Sequence, residues 1–275
     1  MAKFGVVQMN AGSDPQHNLK SLEKKIRGLQ LQGARVILLP ENCFVFGDKG
    51  DYEIHAEELG QGPLQDWCEN ITHKLGIWLI VGSMPIRHDD GRLTATCLVY
   101  DGAGHCRAHY HKLHLFDAKV KDAHGAYQES AVFKAGDDVA VIDTPCGKVG
   151  LSICYDLRFP HLYQELAAKG AEIIVVPAAF TKVTGEAHWE PLLRARAIEN
   201  QVWVVAAAQS GQHEGSRQTW GHSMIIDPWG RIAEVQEAGT GVIWGEIDLS
   251  LVYALRERMP VADHARFTSQ WRQSK

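Results

Sequence analysis

The apolar segments of this chain alternate between strand and helix patterns, and this alternation constrains the fold more than any other sequence feature. Two strand pairs are joined by the tight turns Asp101–Gly104 and Thr144–Gly147, which is typical of antiparallel hairpins. Helical spacing of apolar residues predicts helices at Asn18–Gln32, Pro63–Leu75, Pro160–Lys169, Trp189–Glu199 and Leu249–Arg258. Short apolar runs predict strands at Phe4–Met9, Arg35–Pro40, Gly76–Met84, Thr94–Tyr100, Cys106–Lys112, Val139–Asp143, Lys148–Ile153, Glu172–Pro177, Val202–Ala207, Ser223–Ile226, Ile232–Val235 and Val242–Ile247.

This order of elements favours two mixed sheets that pack face to face with helices outside. One doubly wound parallel sheet would contain helical crossovers throughout, whereas hairpins interrupt the crossovers in each half of this chain. No composition shift, repeat or low-complexity stretch marks a linker. We therefore expect a single α/β domain that spans residues 1–275.

Composition excludes several classes of protein. The chain has 275 residues, 45% of them hydrophobic, which is typical of a globular enzyme with a large core. A formal net charge of −5 gives no reason to expect a nucleic acid or an acidic membrane as partner. No apolar stretch approaches the ~20 residues that span a bilayer, and the first residues do not resemble a signal peptide. We expect a cytoplasmic protein with reduced cysteines.

Cys154 lies where a predicted buried strand ends. The strand contains Val149, Leu151 and Ile153, and the sequence turns polar directly after Cys154 before a helix begins at Pro160. A thiol at the carboxyl end of a core strand, followed by a turn and a helix, is well placed for nucleophilic attack. Most cysteines in such a chain are only small buried apolar residues, so a base and a cation must accompany this one.

Two further strand ends supply a base and a cation. Glu41 directly follows an apolar strand, and strand carboxyl ends are where α/β sheets collect their functional residues. Lys112 ends a hairpin strand, where its ammonium could stabilise an oxyanion and help to hold the cysteine as thiolate. Taken alone, Glu41 also fits a solvated loop residue and Lys112 a surface lysine.

Together these three segments resemble the signature blocks of the nitrilase superfamily of carbon–nitrogen hydrolases. The matching residues occur in the family's order and the resemblance covers essentially the whole chain, through Pro40–Glu41, His111–His114 and Cys154–Pro160. The resemblance implies an α-β-β-α sandwich that assembles into homodimers or higher homo-oligomers. It also implies a reaction that requires no metal and no organic cofactor.

The resemblance implies a role for each matching residue. Cys154 would be the nucleophile, Glu41 the general base and Lys112 the oxyanion stabiliser. Glu129 matches the family's second glutamate, which positions substrate and lysine. The backbone N–H of Tyr155 would complete the oxyanion site, and the reaction would proceed through a cysteine thioester.

The segments around these residues look most like the deaminated glutathione amidases. Members of this branch hydrolyse deaminated glutathione to 2-oxoglutarate and cysteinylglycine, a reaction of metabolite repair. The ω-amidases, which act on 2-oxoglutaramate and 2-oxosuccinamate, are the nearest alternative, followed by other amidases, carbamoylases and nitrilases of the superfamily. The residues that carry this likeness are the segments His188–Glu199, Val204–Gln209, Gly221–Met224, Asp227–Gly230, Leu113–Asp117 and Pro177–Phe180.

Substrates of both branches are small carboxylate-bearing amides, so cations are expected near the thiol. Arg158 is a candidate because a guanidinium can bind a carboxylate bidentately, although an ion pair with Asp156 or Glu165 is an equal alternative. Thr181 and His188 are further candidates, which we place in or beside the loop after Pro177.

Two other functions compete with an amidase. The histidine-rich segment His105–His114 could indicate a metal site, but it has no second pair of ligands with suitable spacing, so we predict none. A catalytically silent scaffold that binds partners is a non-enzyme alternative. It would predict the loss of a triad residue, whereas Glu41, Lys112 and Cys154 are all present.

Overall fold

The computed structural model describes residues 2–268 and residue 270. Its helices are α1 (Pro15–Leu31), α2 (Lys49–His55), α3 (Pro63–Leu75), α4 (Pro160–Ala168), α5 (Lys182–Asn200), α6 (Leu249–Arg258) and α7 (Val261–His264). Its strands are β1 (Ala2–Gln8), β2 (Ala34–Leu38), β3 (Glu57–Glu58), β4 (Trp78–Arg87), β5 (Leu93–Tyr100), β6 (Cys106–His111), β7 (Asp117–Lys119), β8 (Ala126–Gln128), β9 (Val141–Thr144), β10 (Gly147–Leu151), β11 (Ile173–Ala178), β12 (Trp203–Ala208), β13 (Ser210–Gln212), β14 (Gln218–Trp220), β15 (Ser223–Ile226), β16 (Ile232–Gln236) and β17 (Gly241–Ile247).

Most strands belong to two mixed sheets. The seven-stranded sheet has the order β17-β1-β2-β4-β5-β6, with β3 paired to β4, and the six-stranded sheet has the order β16-β15-β12-β11-β10-β9. In each sheet three parallel strands, β1-β2-β4 or β10-β11-β12, are flanked by antiparallel ones. The small hairpins β7-β8 and β13-β14 stand apart from both sheets.

The alternation of side chains along β2 explains how the layers pack. Val36 and Leu38 belong to the apolar cluster that joins the two sheets, whereas Ile37 belongs to the cluster beneath α1 and α3. Successive strand residues point to opposite faces, so a fully apolar strand is buried on both sides. On the other sheet, Leu162 of α4 and Trp189 of α5 pack against the strands. The result is the predicted α-β-β-α sandwich.

The structure corrects the predicted start of one helix. We expected helix at Trp189–Glu199, with Thr181 and His188 in or beside a loop, but α5 begins at Lys182 and includes His188. The Thr181 side chain accepts a hydrogen bond from the Thr184 amide and caps this helix. The first half of α5 contains poor helix formers, namely Thr184, Gly185 and Pro191. Their low helix propensity explains why the sequence did not predict helix before Trp189.

Several short elements were not predicted at all. They are α2, α7, β3 and the strands of the hairpins β7-β8 and β13-β14, each too short for a periodic pattern. Both hairpins predicted from turn residues, β5-β6 and β9-β10, are present. The prediction of one domain stays a prediction, and its ends, Met1 and residues 271–275, lie outside the described residues, as does Ser269.

Candidate active site

Glu41, Lys112 and Cys154 come together at the carboxyl ends of strands from both sheets. Glu41 follows β2 and Lys112 follows β6 in one sheet, whereas Cys154 follows β10 in the other. All three side chains are buried, with relative exposures of 4%, 1% and 8%. The sandwich therefore brings together three side chains that are far apart in sequence, because the carboxyl ends of these strands lie at the same edge of the two sheets.

The Lys112 ammonium bridges two carboxylates. Its Nζ donates to Glu41 Oε1 at 2.7 Å and to the two oxygens of Glu129 at 2.8 and 2.9 Å. Burial alone would lower the pKa of Lys112, but the charges of Glu129 and Glu41 outweigh burial and raise it well above its usual range. Lys112 is therefore a fixed cation.

Backbone amides orient the two carboxylates. Glu41 Oε2 accepts the Ala179 amide at 2.7 Å, just past the end of β11, and Glu129 Oε2 accepts the Phe116 amide at 2.6 Å. Burial and the nearby charge of Glu41 raise the pKa of Glu129, although Lys112 opposes them. The predicted neighbour of the lysine, Glu129, is thus in direct contact with it.

The Cys154 thiol lines the same cavity as the Glu41 carboxylate, close enough for the two groups to interact electrostatically. Burial, and then the charge of Glu41, raise the pKa of Cys154 well above its ordinary value, and Lys112 only partly offsets them. Lys112 thus acts on the thiol in the direction we expected, because its charge lowers the pKa of Cys154, but burial and the Glu41 charge outweigh it. Glu41 is the carboxylate placed to take up the thiol proton.

The backbone of Cys154 adopts a left-handed conformation, with a φ of 48°. Such a φ is uncommon for a residue with a side chain and costs about 1–2 kcal/mol. Cys154 begins a short 3₁₀ helix, Cys154–Arg158, that redirects the chain from β10 toward α4. The turn places the thiol at the wall of a cavity beyond the strand end, much as a nucleophile elbow does.

Asp156, which we had considered only as an ion-pair partner of Arg158, holds this turn in place. Its side chain is fully buried, and Oδ2 accepts the Ile153 amide at 2.8 Å and the Tyr110 hydroxyl at 2.7 Å. Oδ1 accepts the backbone amide of His114 at 3.1 Å and its ring Nδ1–H at 2.7 Å. One carboxylate thus connects the Cys154 turn to the segment after Lys112.

Cys154 lies between two adjoining cavities. The larger, of about 130 Å³, is also lined by Glu41, Lys112 and Glu129, and the smaller, of about 20 Å³, by Tyr155 and Arg158. Thr181 lines both cavities, together with Phe116 and Ala179. A substrate amide at Cys154 could therefore extend to both sides.

The predicted substrate-binding residues differ in their positions. Arg158 forms neither of the ion pairs we considered, because Asp156 pairs with His114 and Glu165 with Lys169. Its guanidinium lies 5.1 Å from the centre of the Phe180 ring, and Nη1 is 3.2 Å from His188 Nδ1. His188 itself is exposed on α5 and lines neither cavity.

Sequence reasoning missed one cation in the larger cavity. Arg217 lies just before β14, in a polar turn that carries no apolar pattern. In the part of the chain that the structure describes, no group of three or more His, Cys, Asp or Glu side chains is arranged to hold a metal ion. No helix among the described residues is both long and apolar enough to cross a membrane.

A sandwich in which a carboxylate, an ammonium and a thiol meet at strand ends has the architecture of a hydrolase that attacks amides. The chain belongs to the carbon-nitrogen hydrolase family, whose model matches residues 3–257. It is an amidase of the nitrilase superfamily, as the resemblance implied.

The chain is similar to curated proteins of two branches. It is 44% identical over 270 residues to a deaminated glutathione amidase of Yersinia enterocolitica, covering 98% of this chain and 94% of that protein. It is 38% identical over 268 residues to the omega-amidase NIT2-A of Xenopus laevis, covering 97% and 96%.

Among solved structures, the NitFhit protein of C. elegans superposes with a TM-score of 0.89 at 38% identity. The match covers 97% of this chain but 66% of that one, so this chain spans about two thirds of NitFhit. The likeness confirms the nitrilase-like fold.

Proposed function

We propose that this amidase hydrolyses deaminated glutathione to 2-oxoglutarate and cysteinylglycine. The observation that carries the proposal is the position of Cys154 between two cavities, of which the larger lies on the side of Glu41. A cavity there suits a leaving group larger than ammonia. The similarity to a curated deaminated glutathione amidase at 44% identity supports the same substrate.

In the first half of the reaction, Cys154 Sγ attacks the amide carbonyl carbon while the thiol proton moves to Glu41. The carbonyl oxygen becomes an oxyanion, which Lys112 Nζ and the backbone N–H of Tyr155 stabilise. The tetrahedral intermediate then breaks its C–N bond, and Glu41 returns the proton to the leaving amine. Cysteinylglycine departs and a 2-oxoglutaryl thioester remains on Cys154.

In the second half, a water molecule replaces the amine. Glu41 takes a proton from this water, whose oxygen attacks the thioester carbonyl, and the same two groups stabilise the oxyanion. The C–S bond breaks, the thiolate regains the proton from Glu41, and 2-oxoglutarate leaves. Glu129 keeps Lys112 in position, since it accepts two hydrogen bonds from the ammonium.

Arg158 is the residue we assign to the carboxylate of the 2-oxoacid. It lines the smaller cavity and forms no ion pair with a carboxylate among the described residues. Its guanidinium could bind a carboxylate through two parallel hydrogen bonds. Thr181 borders the same cavity, and His188 supports Arg158 from outside rather than contacting substrate.

We further propose that the protein is a cytoplasmic homodimer, or a higher homo-oligomer, formed of one domain and acting without a nucleic-acid or membrane partner. Exposed apolar residues on two helices support a helical interface: Val183 and Ile198 on α5, and Leu251 and Tyr253 on α6. Light scattering during gel filtration measures the oligomeric state directly.

A side-by-side assay tests the substrate. The proposal predicts that kcat/KM is higher for deaminated glutathione than for 2-oxoglutaramate, the substrate of the ω-amidases. A preference for 2-oxoglutaramate of about tenfold, equal to ~1.4 kcal/mol of transition-state discrimination, would instead assign the protein to the ω-amidases.

A further inference from the structure

The two cavities beside Cys154 are chemically different. Glu41 and Lys112 line only the larger one, whereas Tyr155 and Arg158 line only the smaller one. Since Glu41 must give a proton to the leaving amine, that nitrogen has to lie on the side of Glu41. The leaving group therefore begins beside the larger cavity, and we place the acyl group toward Arg158.

The larger cavity contains a cation that the triad does not use. Lys112 belongs to the triad and pairs with Glu41 and Glu129. Arg217 lines the same cavity and forms no ion pair with a carboxylate among the residues that the structure describes. A guanidinium that faces a cavity without a carboxylate partner is suited to bind an anionic group of a ligand.

The surroundings of Arg217 hold its guanidinium in the cavity wall. Nη1 donates to the Gly47 carbonyl at 3.3 Å, and the guanidinium lies 5.5 Å from the centre of the Phe46 ring. Tyr52 is also close to Arg217. Burial raises the pKa of the Tyr52 hydroxyl to about 12, and the nearby charge of Arg217 acts in the opposite direction. These contacts fix one side of the guanidinium and leave donors for a ligand, because arginine carries five N–H groups.

Two hairpins enclose this part of the cavity. Arg217 precedes β14, and Tyr127 of β8 lines the same cavity. His124 Nδ1, between β7 and β8, is 3.1 Å from the Ser216 hydroxyl, so the two hairpin tips touch. A leaving group with its own charged end would thus meet Arg217 at a partly enclosed position.

We propose that Arg217 binds the carboxylate of the leaving group and so selects amides whose amine half ends in a carboxylate. This inference rests on the proposed function, in which the leaving group is cysteinylglycine. An enzyme whose leaving group is ammonia has no leaving-group carboxylate to place against this arginine. Arg217 is a specificity-determining residue at the end of the substrate opposite to that bound by Arg158.

A pair of matched substrates tests the proposal. One is deaminated glutathione, and the other is the same molecule with its glycine carboxylate replaced by a carboxamide, which keeps the size but removes the charge. The wild type should prefer the carboxylate by about 10- to 100-fold in kcat/KM, the range of a hydrogen-bonded charge. In Arg217→Gln this preference should fall to within about threefold, and Arg217→Lys should restore part of it.

Arg92→Gln is the matched control, since Arg92 is exposed and pairs with Asp90 outside both cavities. It should keep the wild-type preference. Activity of Arg217→Gln on the carboxamide, together with its thermal melting temperature, reports whether that variant is folded. The inference is overturned if the wild type does not discriminate or if Arg217→Gln still does. If the wild type fails to hydrolyse deaminated glutathione at all, the proposed function itself is wrong.

Discussion

Substitution of Asp156 tests how the fold positions the Cys154 thiol. Asp156 is fully buried, and its two oxygens accept four hydrogen bonds, from the Ile153 amide, the Tyr110 hydroxyl and two N–H groups of His114. None of these donors touches the substrate in our scheme. The residue therefore acts only by holding the backbone of Cys154 in its left-handed conformation.

The substitution Asp156→Asn exchanges one acceptor oxygen for an NH₂ group. If the amide nitrogen faces Tyr110 and Ile153, the tyrosine can turn to accept, but the Ile153 amide loses its partner. If it faces His114, the ring can accept through Nδ1 in its other tautomer, but the His114 backbone amide loses its partner. Each orphaned buried donor costs about 1–3 kcal/mol, which is similar to the ~1–2 kcal/mol stored in the left-handed φ of Cys154. The turn is then expected to relax and displace the thiol.

We expect kcat to fall by about 100-fold, the cost of a displacement near 1 Å. The melting temperature should fall by about 2–4 °C for each kcal/mol lost. Asp101→Asn is the control, because Asp101 is also buried and accepts the Ala103 and His105 amides, yet it lies in the β5–β6 turn. It should lower the melting temperature and leave kcat unchanged. Wild-type kcat in Asp156→Asn would refute the positioning role.

Three further predictions concern the triad and its support. Alkylation of Cys154 by iodoacetamide should still accelerate with pH above ~9.5, where the rate for an ordinary thiol of pKa ~8.5 levels off, because burial and Glu41 raise its pKa. Glu41→Gln should shift the profile to lower pH, and a wild-type plateau at or below pH ~9.5 would contradict the raised pKa. Glu129→Gln should lower kcat by about 100-fold with little change in melting temperature, since Lys112 loses a charged partner that orients it. A wild-type kcat in stopped assays would exclude a role for Glu129 in orienting the lysine. Gly82→Ala should destabilise the protein by about 1–3 kcal/mol and reduce kcat, because a Cβ there would lie 2.2 and 2.3 Å from backbone carbonyl oxygens of the segment that leads to Glu41. A chemical denaturation midpoint equal to that of the wild type would contradict this prediction.

The parts of the fold that could be predicted are those in which local pattern and packing agree. The apolar strand before Glu41 is buried on both faces, and its residues alternate between the two cores. The hairpins that turn at Asp101 and Thr144 were predicted because each turn segment consists largely of residues that favour turns. The strand ends at Glu41, Lys112 and Cys154 could therefore be placed in one region, and the family resemblance supplied their order.

The remaining features depend on contacts between distant segments. Arg217 lies in a short polar turn, and nothing in its neighbourhood indicates that the hairpin folds over the cavity. Asp156 stands two residues before Arg158, which suggested a local ion pair, whereas its partners come from Tyr110 and His114. The raised pKa of Cys154 likewise follows from burial between two sheets, which a sequence pattern cannot quantify.

Detection of the acyl-enzyme is the most direct test of whether Cys154 forms a thioester with the substrate. Deaminated glutathione is mixed with the enzyme, the reaction is stopped with acid within a fraction of one turnover, and the intact mass is measured. The covalent mechanism predicts a mass increase equal to one 2-oxoglutaryl group, located on the peptide that contains Cys154 and absent from Cys154→Ala. Turnover without such an adduct, an adduct on another residue, or activity retained in Cys154→Ala would contradict it.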